Sequence, residues 1–124
     1  MSQRMRRVNE ILREAIATEC GNLKDPRIGF LTVTGVSTSP DLRNASVYFT
    51  VMGDERVLAD TEQALASAAP RVQSAVAGKI RLKYFPKLKF VPDPAPEYAR
   101  RIEEILRRIG HDENREERVA EEMA

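Results

Sequence analysis

The amino-acid sequence predicts an α+β protein in which helices cover one face of a three-stranded sheet. Two segments with alternating apolar and polar residues lie on either side of a short polar loop, and this arrangement predicts an antiparallel hairpin. A third alternating segment follows much later, after residues with helical periodicity. The predicted order is therefore helix, strand, strand, helix, helix, strand and a C-terminal helix.

The first predicted helix covers residues 3–20. Its apolar residues recur at the spacing of one helix face, at Val8, Ile11, Leu12, Ala15 and Ile16. Gly21 then supplies a stop signal. Arg4, Arg6 and Arg7 lie close together near the start of this helix. Each can belong to a solvated helix face, but as a group they indicate a patch that binds anions.

The hairpin strands are predicted at residues 30–37 and 45–51. The first is rich in β-branched and aromatic residues, which favour strands. In the second, every other residue is apolar, at Ala45, Val47, Phe49 and Val51. Residues 39–44 carry the Ser, Pro, Asp and Asn residues typical of a turn. One face of the hairpin is therefore expected to be buried.

Two helices are predicted after the hairpin, over residues 55–68 and 70–83. Asp54 is placed to cap the first of them. Pro70 has no backbone N–H and its ring disturbs the preceding helical turn, although its fixed φ suits the start of a new helix. We therefore predict a kink or break between the two helices at Ala68, Ala69 and Pro70.

The segment from Arg71 to Phe90 combines core-forming residues with charges of one sign. It contains no Asp or Glu, and its cations are Arg71, Lys79, Arg81, Lys83, Lys87 and Lys89. In the predicted helix over 70–83, an apolar row of Val72, Val76 and Ile80 lies beside a row that includes Arg71, Lys79 and Lys83. Such a segment must bury one side and present the other to a negative partner, for which a phosphate backbone is the best candidate.

The C-terminal part starts with a third predicted strand, over residues 87–92, in which Lys87 and Lys89 face away from Leu88 and Phe90. A helix over residues 97–109 carries an apolar stripe of Tyr98, Ile102, Ile105, Leu106 and Ile109. Residues 110–124 are charged and almost free of core residues. We expect one domain over residues 1–109 and a flexible charged extension over 110–124.

The overall charge of +1 conceals two regions of opposite sign. Residues 1–91 hold fourteen Lys or Arg and nine Asp or Glu, whereas residues 92–124 hold six and ten. A basic body with an acidic end indicates nucleic-acid binding. The single cysteine, Cys20, excludes an internal disulfide and suits the reducing cytoplasm. No apolar run of membrane-spanning length and no secretory signal is present.

Residues with which to build an active site are scarce. His111, the only histidine, lies in the acidic end, and Cys20 has no histidine near it in sequence. The chain has no zinc-binding cluster, no phosphate-binding loop and no dinucleotide-binding motif. Its paired carboxylates, such as Glu103 and Glu104, fall on polar helix faces. We therefore expect a protein that is not an enzyme and needs no cofactor, metal or small-molecule substrate.

The predicted order of elements resembles a type II KH domain, a fold that clamps single-stranded nucleic acid through a GXXG loop. This chain has no GXXG motif and carries Ala68, Ala69 and Pro70 at that place. Three stretches resemble the ribosome-binding factor A family more specifically. They are Lys24–Gly29 (KDPRIG), the hairpin from Thr34 to Tyr48, and Leu82–Phe90 (LKYFPKLKF). In that family the GXXG loop is replaced by an Ala-x-Gly kink, and this chain has Pro70 where the family usually has Gly.

The resemblance covers about residues 3–109 and implies a cytoplasmic, non-enzymatic factor for small-subunit assembly. Such a factor binds the immature 30S subunit, contacts 16S rRNA near its 5′ region, supports processing of that end, and is linked to cold adaptation. We expect a monomer with no membrane partner.

From the residues themselves, we expect RNA contacts at Arg4, Arg6, Arg7, Arg71, Lys79, Arg81, Lys83, Lys87 and Lys89. Tyr84 is the aromatic residue best suited to stack on a base, although it also suits core packing. An alternative hypothesis remains open, in which the C-terminal helix and acidic extension bind a basic ribosomal protein.

Overall fold

The structure, a computed structural model, describes the backbone of residues 3–123 and the side chains of residues 3–96 and 98–110. Its elements are α1 (Gln3–Gly21), β1 (Phe30–Thr38), β2 (Asn44–Met52), α2 (Glu55–Lys79), β3 (Lys87–Pro92) and α3 (Ala95–Met123). The predicted α+β class and all three predicted strands are confirmed.

The three strands form one sheet in the order β1-β2-β3. β1 and β2 pair antiparallel, as expected for strands joined by a short loop, with an irregularity between Val33 and Gly35. β3 pairs parallel to β2, because the long helix α2 carries the chain back across the sheet between them. This parallel pairing places the start of β3 beside the start of β2, with Lys87 opposite Asn44.

The core lies between the sheet and the two helices α1 and α2, which contact the same side of it. Alternation along β2 buries Ala45, Val47 and Phe49, as predicted. Leu12 and Ile16 supply the helical side from α1, and Leu65, Val72 and Val76 supply it from α2. Complete burial of side chains of this size stabilises the fold by about 1.5–3 kcal/mol each.

Helix α2 shows that a break at Pro70, one of the two predicted forms, is wrong, whereas the kink stays a prediction. The chain stays helical from Glu55 to Lys79, so Ala68, Ala69 and Pro70 lie inside one helix and not between two. A proline inside a helix removes one backbone hydrogen bond without necessarily ending the helix. Buried residues on both sides of Pro70, such as Leu65 and Val72, hold both parts of α2 against the core.

The end of α2 corrects a second prediction. Ile80 caps the helix in an extended conformation, with φ −117° and ψ 124°, so the helical row predicted to continue to Lys83 stops at Lys79. Arg81 and Lys83 therefore lie in the segment that joins α2 to β3. The start of α2 agrees with the prediction, since the Asp54 carboxylate accepts the Val57 backbone N–H at 3.0 Å.

The chain divides into two compact units, Met1–Asp93 and Pro94–Ala124. The predicted domain over residues 1–109 stays a prediction. The second unit contains α3, a longer helix than the one predicted over 97–109. The predicted flexibility of residues 110–124 stays a prediction, because their side chains from His111 onward lie outside the described part. None of the helices among the described residues has the length and apolar character needed to cross a bilayer.

Candidate nucleic-acid interface

A groove of about 730 Å³ runs along the surface between the middle of α2 and the edge strand β3. We call it the strand-side groove; the residues that matter for its chemistry are Arg43, Glu62, Pro70, Gln73, Lys87 and Lys89. Arg43, Lys87 and Lys89 are exposed cations, and Glu62 is the only carboxylate among the lining residues. The groove is therefore basic.

Both lysines of this groove are placed by the alternation of β3. Leu88 is only 4% exposed and packs into the core, so Lys87 and Lys89 leave the strand on the opposite face. The register sets Lys89 beside Ser46. The lysines consequently stand at the rim of the strand-side groove, where β3 forms the edge of the sheet.

Hydrogen bonds fix both sides of β3. The Lys87 N–H donates to the Arg43 carbonyl oxygen at 2.8 Å on the β2 side. On the other side, the Leu88 N–H donates to Gln73 Oε1 of α2 at 3.1 Å. These two hydrogen bonds hold the start of β3 from both sides. The backbone that carries Lys87 and Lys89 therefore has a fixed position.

A second groove, of about 540 Å³, lies on the other side of α2. We call it the loop-side groove; its relevant residues are Lys24, Asp25, Arg27, Ser67, Ala68 and Arg71. It again combines three cations with one carboxylate. Arg27 contacts Asp25 at 2.8 Å, and these hydrogen bonds from its side chain and backbone N–H lower the pKa of the Asp25 carboxyl. Lys24 and Arg71 are exposed.

The two grooves flank the middle of α2. Ala69 and Pro70 line the strand-side groove, and Ser67 and Ala68 line the loop-side groove. These small side chains leave room for a ligand to cross the helix closely. The predicted kink residues thus lie at the centre of a surface with six cations and two carboxylates, although they lie within a helix.

The remaining predicted cations are dispersed. Arg4 and Lys83 line a third, smaller cavity together with Tyr84. Lys79 forms an ion pair with Glu19 of α1. Arg6, Arg7 and Arg81 are exposed but line none of these three spaces. Of the predicted cations, Lys87 and Lys89 therefore line the strand-side groove and Arg4 and Lys83 line the third cavity. Arg71 lines the loop-side groove, on the opposite side of α2 from Lys87 and Lys89.

Four residues of the grooves were not among the predicted site residues: Lys24, Arg27, Arg43 and Gln73. Arg43 reaches the strand-side groove only because β3 runs parallel to β2, and Lys24 and Arg27 reach Arg71 only through the packing of their loop beside α2. A single helix joining two neighbouring strands is the signal that predicts a parallel pair.

The structure also places Cys20, the one cysteine of the chain, in the core. Burial, with a smaller contribution from Glu19, raises the pKa of the Cys20 thiol to about 11, so Cys20 stays protonated at neutral pH. Within residues 3–96 and 98–110, no group of three or more His, Cys, Asp or Glu side chains is arranged to hold a metal ion.

Comparison with known proteins decides the family. The sequence profile of ribosome-binding factor A matches residues 4–106. This chain belongs to the ribosome-binding factor A family. The ribosome-binding factor A of Geobacter sulfurreducens is 39% identical over 110 residues, which cover 88% of this chain and 93% of that protein. The family is named for ribosome binding and not for a reaction, in agreement with the expectation of a non-enzymatic protein.

Solved structures of ribosome-binding factor A share the fold. The crystal structure from Thermus thermophilus has a TM-score of 0.65 at 33% identity, and the match covers 71% of this chain and 94% of that one. A homology model of the Thermus thermophilus factor, fitted into a cryo-EM map of its complex with 30S, has a TM-score of 0.57 at 36% identity. That match covers 68% of this chain and 89% of the fitted chain.

Proposed function

We propose that this protein binds the immature 30S subunit through 16S rRNA, without catalysis, and assists late maturation of the subunit. It acts as a cytoplasmic monomer and supports processing of the 16S rRNA 5′ end and growth in the cold. Its membership of the ribosome-binding factor A family supports this proposal, as does the 30S complex of the Thermus thermophilus factor.

The observation that carries the proposal is the pair of basic grooves on either side of α2. Each groove offers three cations against one carboxylate, and small residues of α2 lie between them. Phosphate contacts from Lys and Arg dominate nucleic-acid affinity and are largely independent of sequence. Because the chain has no GXXG loop, we infer that it recognises the shape and charge of rRNA more than its base sequence.

The test is 30S binding measured over a range of salt concentrations. Replacing Arg43, Lys87 and Lys89 together by Ala should weaken binding and reduce the slope of log affinity against log salt by about three, roughly one for each lost phosphate contact. All three side chains are exposed, so the fold should be retained.

A matched control removes the same charge from α3, by replacing Arg100, Arg107 and Arg108 with Ala. This control should leave both affinity and salt slope close to those of the wild type. Equal losses in the two triple variants would mean that net charge alone drives binding. No loss in the groove variant would exclude the strand-side groove from the interface.

The role in maturation has its own test. In cells that lack their own ribosome-binding factor A, the wild-type protein should reduce the amount of unprocessed 16S rRNA 5′ ends at low temperature. The groove variant should do so less well. If both proteins correct processing equally, the groove is not needed for maturation.

A second candidate function is protein binding through α3. Five large apolar residues of this helix are exposed: Tyr98, Ile102, Ile105, Leu106 and Ile109. An apolar stripe of this kind suits insertion into a groove of a partner, and the acidic residues of positions 111–124 would favour a basic ribosomal protein. Deletion of residues 111–124 should abolish 30S binding if this second function dominates, while the groove variant should then bind normally.

A further inference from the structure

A small cavity lies apart from the two basic grooves, between the start of α1, the β1–β2 loop and the segment that joins α2 to β3. Its volume is about 330 Å³. Most of its wall is apolar and comes from Met5, Val8, Pro40, Leu42, Leu82 and Pro86. This volume is near the lower end of the range for small-ligand sites, about 300–1,000 Å³, so the cavity suits one small planar group.

The wall of this cavity is held in place by the β1–β2 loop. Leu42 has φ 60°, a left-handed conformation that is unfavourable for a residue with a side chain. The Leu42 N–H donates to the Ser39 carbonyl at 2.9 Å, and the neighbouring Arg43 N–H donates to Asp41 Oδ1 at 3.1 Å. Strained residues kept in place by such bonds concentrate at functional sites.

A buried hydrogen bond supports the cavity from the helix side. The hydroxyl of Thr38, which lines the cavity, donates to Asn9 Oδ1 of α1 at 2.6 Å. It ties the end of β1 to the helix that contributes Met5 and Val8. The cavity is therefore formed before any ligand arrives, which reduces the entropic cost of binding.

The polar groups of the cavity select for a negative, aromatic ligand. Tyr84 is 64% exposed, and Lys83 Nζ lies 5.7 Å from the centre of its ring. Arg4 contributes a second cation, and no carboxylate is among the lining residues. An apolar peptide side chain would use the wall but gain nothing from two cations. A nucleotide uses both, since its base stacks on aromatic rings and its phosphates attract Lys and Arg.

We propose that this cavity receives one unstacked base of single-stranded RNA, with Tyr84 against the face of the base and Arg4 and Lys83 near the flanking phosphates. The inference rests on the proposed function, because the RNA in question is that of the 30S subunit. It deepens that function by assigning base contact to the cavity and backbone contact to the grooves beside α2.

The experiment compares binding of two short single-stranded RNAs of equal length, one with bases and one fully abasic, which keeps the phosphates. Wild-type protein should prefer the RNA with bases. Tyr84→Ala should weaken binding of that RNA by about 5- to 150-fold, the affinity that stacking of one base supplies, and leave binding of the abasic RNA unchanged. Tyr84→Phe should keep most of the affinity.

The matched control is Tyr98→Ala, which removes an equally exposed tyrosine (66%) from α3 and should affect neither RNA. Wild-type protein that binds the two RNAs equally would overturn the proposal. So would a Tyr84→Ala variant that loses affinity equally for both, or one that loses 30S binding while binding both RNAs normally, which would indicate a protein ligand in the cavity.

The two proposals fail separately. If Tyr84→Ala binds RNA and 30S like the wild type while the Arg43, Lys87 and Lys89 variant loses 30S binding, the cavity assignment falls and the proposed function stands. If the groove variant also binds 30S normally, the strand-side groove is excluded and the proposed function keeps only the loop-side groove as its structural basis.

Discussion

Helices α1 and α3 both carry an apolar stripe, but only the stripe of α1 contains fully buried residues. Leu12 and Ile16 of α1 are completely inaccessible, whereas Ile105 and Leu106 of α3 are 54% and 62% exposed. Helical periodicity predicts an apolar face in both cases, but it does not say what covers that face. The buried residues of α1 therefore stabilise the first unit, whereas the exposed residues of α3 contribute little to stability.

The strongest effect on stability is expected at the buried stripe. Leu12→Ala leaves a cavity in the core and should reduce the free energy of unfolding by about 2–5 kcal/mol. Leu106→Ala removes the same atoms from an exposed position and should change it by no more than about 0.5 kcal/mol. Urea denaturation followed by circular dichroism measures both. Similar losses in the two variants would show that the stripe of α3 is packed as tightly as that of α1.

The rate of cysteine modification compares a buried position of α1 with an exposed position of α3 by a second method. Burial raises the pKa of the Cys20 thiol to about 11, so at pH 8 its reactive thiolate is roughly 100-fold scarcer than that of an exposed cysteine. Iodoacetamide should therefore modify Cys20 about 100-fold more slowly than a cysteine introduced by Ile105→Cys in a Cys20→Ala background. Comparable rates would contradict the burial of Cys20.

The same raised pKa gives stability a dependence on pH. The folded protein holds the Cys20 thiol proton more firmly than the unfolded chain does. The stability that the protonated thiol contributes is therefore complete below the ordinary thiol pKa, and it is lost as the pH rises toward 11. Wild-type stability should therefore fall more steeply than that of Cys20→Ala between pH 8.5 and 11, measured as the difference between their urea midpoints. Parallel curves would mean that the thiol pKa is not raised.

A smaller effect is expected at the start of α2, the helix that separates the two basic grooves. Asp54→Ala removes the side-chain acceptor of the Val57 N–H and should cost about 1 kcal/mol of unfolding free energy. Asp54→Asn keeps an acceptor and should cost much less. If the Asn variant loses as much as the Ala variant, the charge of Asp54 and not its capping bond stabilises the helix.

Most of the elements could be predicted from local patterns, but the site could not. Alternation marked β2 and β3, and Asp54 marked the start of α2. Pro70 does not end the helix, because burial on both sides of it outweighs the one hydrogen bond it removes. The length of α2 depends on its packing against the core, and a rule based on the local effect of proline takes no account of that packing.

The candidate site depends on residues distant in sequence. Lys79 belongs to the predicted cationic row, but its ion pair is with Glu19, sixty positions earlier. Arg43 enters the strand-side groove only through the parallel pairing of β2 and β3. Charge counting therefore found the basic segment from Arg71 to Phe90, while the grouping of its cations had to come from the fold.

Cross-linking of the protein to 16S rRNA on isolated precursor 30S particles would show which surface meets the RNA. We expect cross-linked peptides from the two grooves, which include Lys24, Arg43, Arg71, Lys87 and Lys89. Peptides from residues 95–109 of α3 should be free of RNA. Cross-links confined to α3, with none from either groove, would rule out the grooves as the rRNA interface.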